Sequence, residues 1–273
     1  MKMKMAFATC VQLGLSCIEE IYRIGGELDL LITLKDEKAK NKSGRIYLNE
    51  IANKHNVQLL KINNINDQEV IETLKEHEID WLFIIGWSQI AKKEVLETPT
   101  KGCIGMHPTI LPVGRGRAAI PWAILKGLKQ TGVTIFKLDE GVDTGDIIGQ
   151  GTIDLDKNIT ATELYKKVDD MHVTLITRYW DNIVNNSITL TQQDETKATE
   201  WPGRKPEDGE IFNNMTMDEA DKLVRAVTHP YPGAFYKDGD KIIRIWSAKA
   251  DANKGEIKLK DGYLTPINYE IEG

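Results

Sequence analysis

A chain of 273 residues suits one main domain with a smaller appendage, and with 41% hydrophobic and 28% charged residues it can bury a sizeable core and stay in solution. A net charge of −6 argues against sequence-independent nucleic-acid binding, which neutralises phosphates with clustered Lys and Arg; local anion sites remain open. No run approaches the roughly 18 apolar residues of a membrane span and no signal-peptide pattern precedes the first strand, so a cytoplasmic location is expected.

Met5 to Ala8 reads as a short strand, and Ser16 to Gly25 as a helix whose apolar positions 18, 21, 22 and 24 share one face. Ser16 is expected to cap that helix, Glu19 to complete a capping box and Gly25-Gly26 to end it. Leu28 to Leu34 reads as a buried strand, and the strand, helix, strand rhythm signals a parallel α/β sheet. A lysine-rich loop, Lys35 to Gly44, leads to a helix over Ile46 to Asn56, a strand over Val57 to Ile62 and a helix over Asp67 to His77. The most hydrophobic strand, Asp80 to Gly86, is the expected sheet centre, and ligands of open α/β sheets sit outside such strand ends.

Gly102 to Met106 is a further strand that delivers His107 at its end. Ala118 to Gly127 reads as a helix with Pro121 in its first turn, Thr131 to Leu138 and Ile147 to Leu155 as strands, and Ala161 to Val184 as a long helix. Asn185 to Gly209 is polar and turn-rich, a linker by composition. Met217 to Val227 is one amphipathic helix, followed by strands at Ala234 to Tyr236, Lys241 to Ala250, Gly255 to Leu259 and Tyr263 to Glu270. The expected architecture is a doubly wound, mostly parallel Rossmann-like sheet over residues 1–200 and a small β-rich, partly OB-like C-terminal domain over 201–273.

Cys10, Cys17 and Cys103 lie among apolar or small residues without CxxC or Cys/His spacing, which points to buried thiols and no metal site. A lone histidine is commonly a satisfied structural residue, but His107 ends a strand beside a glycine-rich turn that bears Asp143. An aspartate can orient imidazole and favour its protonation, so the pair is a candidate general base with its orienter. Gly114-Arg-Gly-Arg117 reads equally as an anion-contact loop and as an exposed basic loop. Trp87 is either pocket or core, and the absence of GxxxxGK[ST] and of GxGxxG in the first strand-helix turn removes support for ATP and NAD.

Taken together, Gly105-Met-His107-Pro-Thr-Ile-Leu-Pro112, Gly114-Arg-Gly116 and Asp143-Thr-Gly145 resemble the signature of the folate-dependent formyltransferase family, including the separation of 36 residues between His107 and Asp143. Arg204-Lys-Pro-Glu-Asp-Gly-Glu-Ile211 and Leu223 to Phe235 resemble the sugar N-formyltransferases most closely, and methionyl-tRNA formyltransferase more distantly. The resemblance implies 10-formyltetrahydrofolate as formyl donor and a nucleotide-linked deoxyaminosugar as acceptor, typically a UDP- or dTDP-linked 4-amino-4,6-dideoxyhexose used in bacterial surface glycans. A homodimer through the C-terminal β region is part of the same expectation.

By the same resemblance His107 serves as general acid or base, with Asp143 assisting it. Trp87, Ser88, Gln89, Ile90 and Ala91, with Asp139, Glu140, Gly141 and Val142, correspond to the pterin pocket. Thr9, Cys10, Gln12, Arg115, Gly116, Arg117 and Arg204 are candidate sugar-nucleotide contacts. The departure is Gly105, where the family carries an asparagine whose amide donates to the developing oxyanion; loss of one such donor costs about 10²- to 10³-fold in rate.

Three other readings remain. One is methionyl-tRNA formyltransferase, against which stands an acidic C-terminal portion; another is a 10-formyltetrahydrofolate hydrolase, and the third a non-catalytic folate or sugar-nucleotide binder.

Overall fold

The computed structural model describes residues 2–39 and 44–272. Its elements in chain order begin with β1 (Met5–Ala8), α1 (Gln12–Arg23), β2 (Leu30–Leu34), α2 (Asp36–Ala39), α3 (Asn49–His55), β3 (Gln58–Ile62), α4 (Gln68–Glu76), β4 (Trp81–Ile84) and α5 (Lys93–Leu96). They continue with β5 (Gly102–His107), β6 (Arg115–Gly116), α6 (Ala119–Leu125), β7 (Gln130–Lys137), β8 (Ile147–Asp154), α7 (Ala161–Val184) and β9 (Glu200–Trp201). The last are α8 (Met217–Val227), β10 (Ala234–Asp238), β11 (Lys241–Asp251), β12 (Ile257–Lys258) and β13 (Tyr263–Glu272). Of the lysine-rich loop read over Lys35 to Gly44, residues 36–39 form α2, while 40–43 lie outside the described residues.

The chain divides into two compact units, the first made of Met1–Arg115, Gly132–Ile153 and Val168–Glu200. Its sheet has seven strands in the order β3-β2-β1-β4-β5-β7-β8; the first five run parallel, and β7 is antiparallel to β5. Strand β4 occupies the middle because its residues Trp81, Leu82, Phe83 and Ile84 are apolar on both faces and all are buried. On one face Phe7 stacks on Phe83 and Phe83 on Trp180 of α7, with ring centroids 5.5 and 6.0 Å apart. On the other, Ala6, Ala8, Leu30, Ile32, Leu82, Ile84 and Cys103 join one cluster. Chain order reverses between β1 and β4, and the crevice at the carboxyl ends of those strands is where such a sheet receives ligands.

Helix α1 begins one turn earlier than its sequence suggests. Ser16 and Glu19 form no capping box; Val11 takes the N-cap position without a side-chain cap, and the Gln12 N–H donates to the Gly44 carbonyl at 2.8 Å. The reason is Gly14, where a Cβ would stand 2.0 Å from Thr9 Oγ1: with no side chain there, the helix starts directly against the end of β1.

The second unit is Gly116–Thr131, Asp154–Lys167 and Trp201–Gly273. It holds a four-stranded sheet in the order β10-β11-β13-β12, antiparallel throughout, with α6 and α8. Helix α8 buries Ala220, Leu223, Val224, Ala226 and Val227, and Thr216 and Glu219 close a reciprocal cap at its start. The observed fold is thus a mostly parallel α/β layer with a small antiparallel C-terminal domain, as the strand-helix rhythm implies. Among the described residues no helix is long and apolar enough to cross a membrane.

Candidate functional site

Strand β5 ends at His107, whose ring is 7% exposed and lies at the carboxyl edge of the parallel strands. Its Nε2 is 2.7 Å from the Gly114 carbonyl and its Nδ1 is 3.4 Å from Asp143 Oδ2. Both nitrogens therefore face acceptors. A neutral imidazole has one N–H and serves one of them, whereas the protonated ring donates to both. The pair expected from the sequence is brought together.

Asp143 reaches the ring through a strained turn. Its φ of 55° lies in the left-handed region, which aspartate tolerates better than most side chains. Gly145 makes the turn possible, since a Cβ there would lie 1.8 Å from the Lys137 carbonyl oxygen. The segment after His107 is fixed as well: the Thr134 hydroxyl donates to the Thr109 carbonyl at 2.8 Å and accepts from the Leu111 N–H at 3.1 Å.

A buried glutamine absent from the sequence reading holds that turn. Gln193 Nε2 donates to the carbonyls of Asp143 and Gly145, both at 2.8 Å, while its Oε1 accepts from Arg115 Nε at 3.1 Å and Nη2 at 2.8 Å. Arg115 also donates to both carboxylate oxygens of Glu195, at 2.9 and 2.6 Å, which raises its already high pKa. Arg115 was expected to meet the substrate; here its guanidinium points back at the Asp143 turn and fixes which way the Gln193 amide faces. Gln193 sits in the polar segment read as linker, where no periodicity marks a buried side chain.

Gly105 shares the strand face of His107, two residues away. A Cβ at this position would lie 2.7 Å from Leu138 Cδ2 and 3.2 Å from its Cγ, so an apolar side chain covers the place of the missing asparagine. Buried polar chemistry continues at His172 of α7, which is 1% exposed with Nδ1 2.7 Å from the Val168 carbonyl. Burial first, and the nearby His107 second, push its pKa down to about 4.

The two stretches assigned to a pterin pocket follow β4 and β7. Gln89 does not face open space: its Oε1 accepts from the Ile65 N–H and its Nε2 donates to the Asn63 carbonyl, both at 2.9 Å. Asn66 completes the clasp, donating to the Ile90 carbonyl at 2.9 Å and accepting from the Lys92 N–H at 2.7 Å. Trp87 packs against the core cluster, and its indole N–H is buried with no partner among the described residues. Ser88 is exposed and Ala91 half-buried.

Asp139 closes its own turn by accepting from the Gly141 N–H at 3.1 Å and the Thr144 hydroxyl at 2.6 Å, and Glu140 lies 3.8 Å from Lys93 Nζ. Ile90 and Val142 are left 67% and 44% exposed, an apolar display that a flat ring could cover. A shallow cavity of about 370 Å³ bordered by Lys93, Lys137, Asp139 and Glu140 includes neither His107 nor Asp143.

Thr9 and Cys10 are buried at the end of β1, and Gln12 opens α1 beside them. Gly116, Arg117 and Arg204 belong to the second unit. There the Arg117 N–H donates to the Trp201 carbonyl at 3.1 Å, and the Arg204 guanidinium lies 5.2 Å from the Trp122 ring centre while donating to the Asp208 carbonyl at 2.6 Å. Burial lowers the Arg204 pKa. Among the described residues no cluster of three His, Cys, Asp or Glu is placed to hold a metal ion.

Residues 22–179 match the family model "Formyl transferase" and residues 204–268 the model "Formyl transferase, C-terminal domain". The methionyl-tRNA formyltransferase of Clostridioides difficile strain 630 is 31% identical over 249 residues, which span 90% of this chain and 80% of that protein. Among solved structures, WlaRD, a sugar 3N-formyl transferase crystallised in the presence of dTDP and 5-N-formyl-THF, aligns with a TM-score of 0.70 at 20% identity over 97% of this chain and 96% of its own. Methionyl-tRNA formyltransferase from Clostridium thermocellum aligns with a TM-score of 0.65 at 22% identity over 99% of both chains. With the family models covering both the histidine site and the C-terminal segment, the chain belongs to the formyl transferase family.

Proposed function

We propose that this chain transfers a formyl group from 10-formyltetrahydrofolate to the primary amine of a nucleotide-linked deoxyaminosugar, such as a UDP- or dTDP-linked 4-amino-4,6-dideoxyhexose, in the assembly of a bacterial surface glycan. The observation that carries the chemistry is the buried His107, with Asp143 on one ring nitrogen and a carbonyl on the other. Attack by an amine requires that its proton be taken up and later delivered. His107 does both once the substrate nitrogen replaces the Gly114 carbonyl at Nε2, with Asp143 holding the ring and its charge.

The donor supplies the formyl group. The residues that would hold it are Trp87 to Ala91 and Asp139 to Val142: the exposed Ile90 and Val142 offer apolar cover, and the orphaned Trp87 indole N–H offers one buried donor. Because Leu138 stands over Gly105, no side-chain amide faces the developing oxyanion from that position. The protonated His107 is then the nearby N–H donor, and transfer is slower than in relatives that retain the asparagine.

A sugar acceptor is favoured by charge. Residues 201–273 carry eleven Lys and Arg against thirteen Asp and Glu, an unsuitable surface for a polyanion. The second reading, formylation of methionyl-tRNA, is favoured by the names of the sequence relatives such as that of C. difficile.

A homodimer is part of the proposal. Strand β13 meets β12 only through Tyr263 and Leu264, so its remaining edge is open among the described residues, and Ile267, Tyr269 and Ile271 on that strand are 65%, 44% and 57% exposed.

The test is incubation with 10-formyltetrahydrofolate and a panel of UDP- and dTDP-linked amino sugars, read by mass spectrometry. A formamido sugar is expected from at least one member, and a His107→Ala variant should lose at least about 10²-fold in rate. Full activity in that variant would remove the role given to His107.

A further inference from the structure

Gln12, one of the candidate sugar-nucleotide contacts, heads a chain of side chains that runs from the end of β1 to α7 through Ser16 and Asp169, two residues with no part in the formyl-transfer reading. Gln12 Nε2 donates to Ser16 Oγ at 3.1 Å, and Ser16 Oγ donates to Asp169 Oδ2 at 2.9 Å. Gln12 and Ser16 stand one turn apart on α1, at the spacing that brings two helical side chains together. Their direction is dictated by chemistry. An ionised carboxylate only accepts, so the single Ser16 hydroxyl proton goes to Asp169, and the serine oxygen can then only accept from its other neighbour.

Gln12 must therefore turn its NH₂ toward Ser16 and its carbonyl oxygen the other way. That oxygen has no hydrogen-bond partner among the described residues. We propose that Asp169 and Ser16 set the polarity of Gln12 so that its side-chain carbonyl is held out as a fixed hydrogen-bond acceptor for the formyl-accepting substrate.

Its place in the fold suits that role. Gln12 follows β1 and His107 ends β5, with β4 alone between those strands; at about 4.8 Å per strand, the strands that lead to the two residues are roughly 10 Å apart along the sheet. This is the reach of one sugar with its first phosphate, so the partner of Gln12 Oε1 is an N–H or O–H on the acceptor at a distance from the reacting amine. A pre-turned amide also discriminates: it accepts a hydroxyl or imide N–H and refuses a carbonyl or phosphate oxygen. Asp169 and Ser16 are positioning residues in this proposal, since each acts on the acceptor through Gln12.

The inference rests on the sugar-nucleotide reading of the site, and two measurements keep their failures apart. The first needs no substrate. In the full-length protein, the side-chain NH₂ resonances of Gln12 should differ from those of a freely rotating amide, and Ser16→Ala should move them to free-amide positions; unchanged resonances would overturn the relay.

The second uses the amino sugar that the panel identifies. Ser16→Ala should raise its KM about three- to tenfold, leaving kcat and the binding of 5-formyltetrahydrofolate within about twofold. Gln12→Leu should raise KM equally, and combining it with Ser16→Ala should add nothing, because both act through one oxygen. Additive effects, or a KM that does not move, would overturn the substrate contact. Asp169→Asn is the alternative if Ser16→Ala does not fold: it lets Ser16 point either way and should loosen the Gln12 amide in the same spectrum. If no amino sugar is formylated by the unaltered protein, the functional reading fails while the amide resonances still decide the relay.

Discussion

At the residue scale the account turns on what stands beside His107. Gly105 leaves the strand without a side-chain donor, and Leu138 fills the space. Restoring the amide requires moving the leucine, so Gly105→Asn combined with Leu138→Ala should raise the rate of formyl transfer by about 10²-fold, whereas Gly105→Asn alone should gain less and lower the melting temperature. Steady-state kinetics with the identified acceptor checks this; no gain in the double variant would show that another group already serves the oxyanion.

A second residue-scale expectation concerns acid stability. His172 has a folded pKa of about 4 against 6.5 when unfolded, so the folded state favours its neutral form. The associated stability is fully present above about pH 6.5 and is lost as the pH falls toward about 4, by on the order of 3 kcal/mol. His172→Leu should flatten that part of the profile, measured as urea midpoint against pH.

His107 and Asp143 were legible in the sequence because strand-end placement and a glycine turn are local signals. Gln193 and Leu138 were not, because each acquires its importance only through a distant residue packed against it.

At the scale of elements, α7 and α8 begin and end where their periodicity places them, and α1 does not. Serine followed three residues later by glutamate is a sound capping signal, but here close packing of Gly14 on Thr9 starts the helix earlier and gives the Ser16 hydroxyl to Asp169 instead. The clasp on the Asp143 turn belongs to this scale too. Gln193→Ala removes two bonds to the turn and strands the Arg115 Nε donor, so it should cost about 1–3 kcal/mol in stability and reduce kcat at least tenfold while leaving 5-formyltetrahydrofolate binding near its original value. Unfolding and kinetic measurements on one preparation separate the two effects. A fall in stability with kcat intact would limit Gln193 to holding the segment in place.

For the whole molecule, the mostly parallel α/β sheet, the central position of β4 and a β-rich C-terminal portion could be read from the alternation of apolar runs, whereas the strand order and the antiparallel β7 could not, because pairing between distant strands leaves no local pattern. The open edge of β13 could not either, because such an edge looks in sequence like any other half-buried strand. Ile267→Lys places a charge on that edge and should shift a dimer to monomer in sedimentation velocity at micromolar concentration, with the melting curve of the monomer retained. An unchanged sedimentation coefficient would place any dimer contact elsewhere.

The acidic balance of the chain sets the other molecular expectation, that the acceptor is small and carried by a nucleotide, not a tRNA. One measurement bears on this most directly: a competition in which the protein, 10-formyltetrahydrofolate, methionyl-tRNA and the panel of nucleotide-linked amino sugars are combined at equal acceptor concentrations and all products are resolved by mass spectrometry. The formyl group is expected on a sugar nitrogen, with product lost in His107→Ala. Formyl-methionyl-tRNA as the main product, or no formylated acceptor of either kind, would contradict the account.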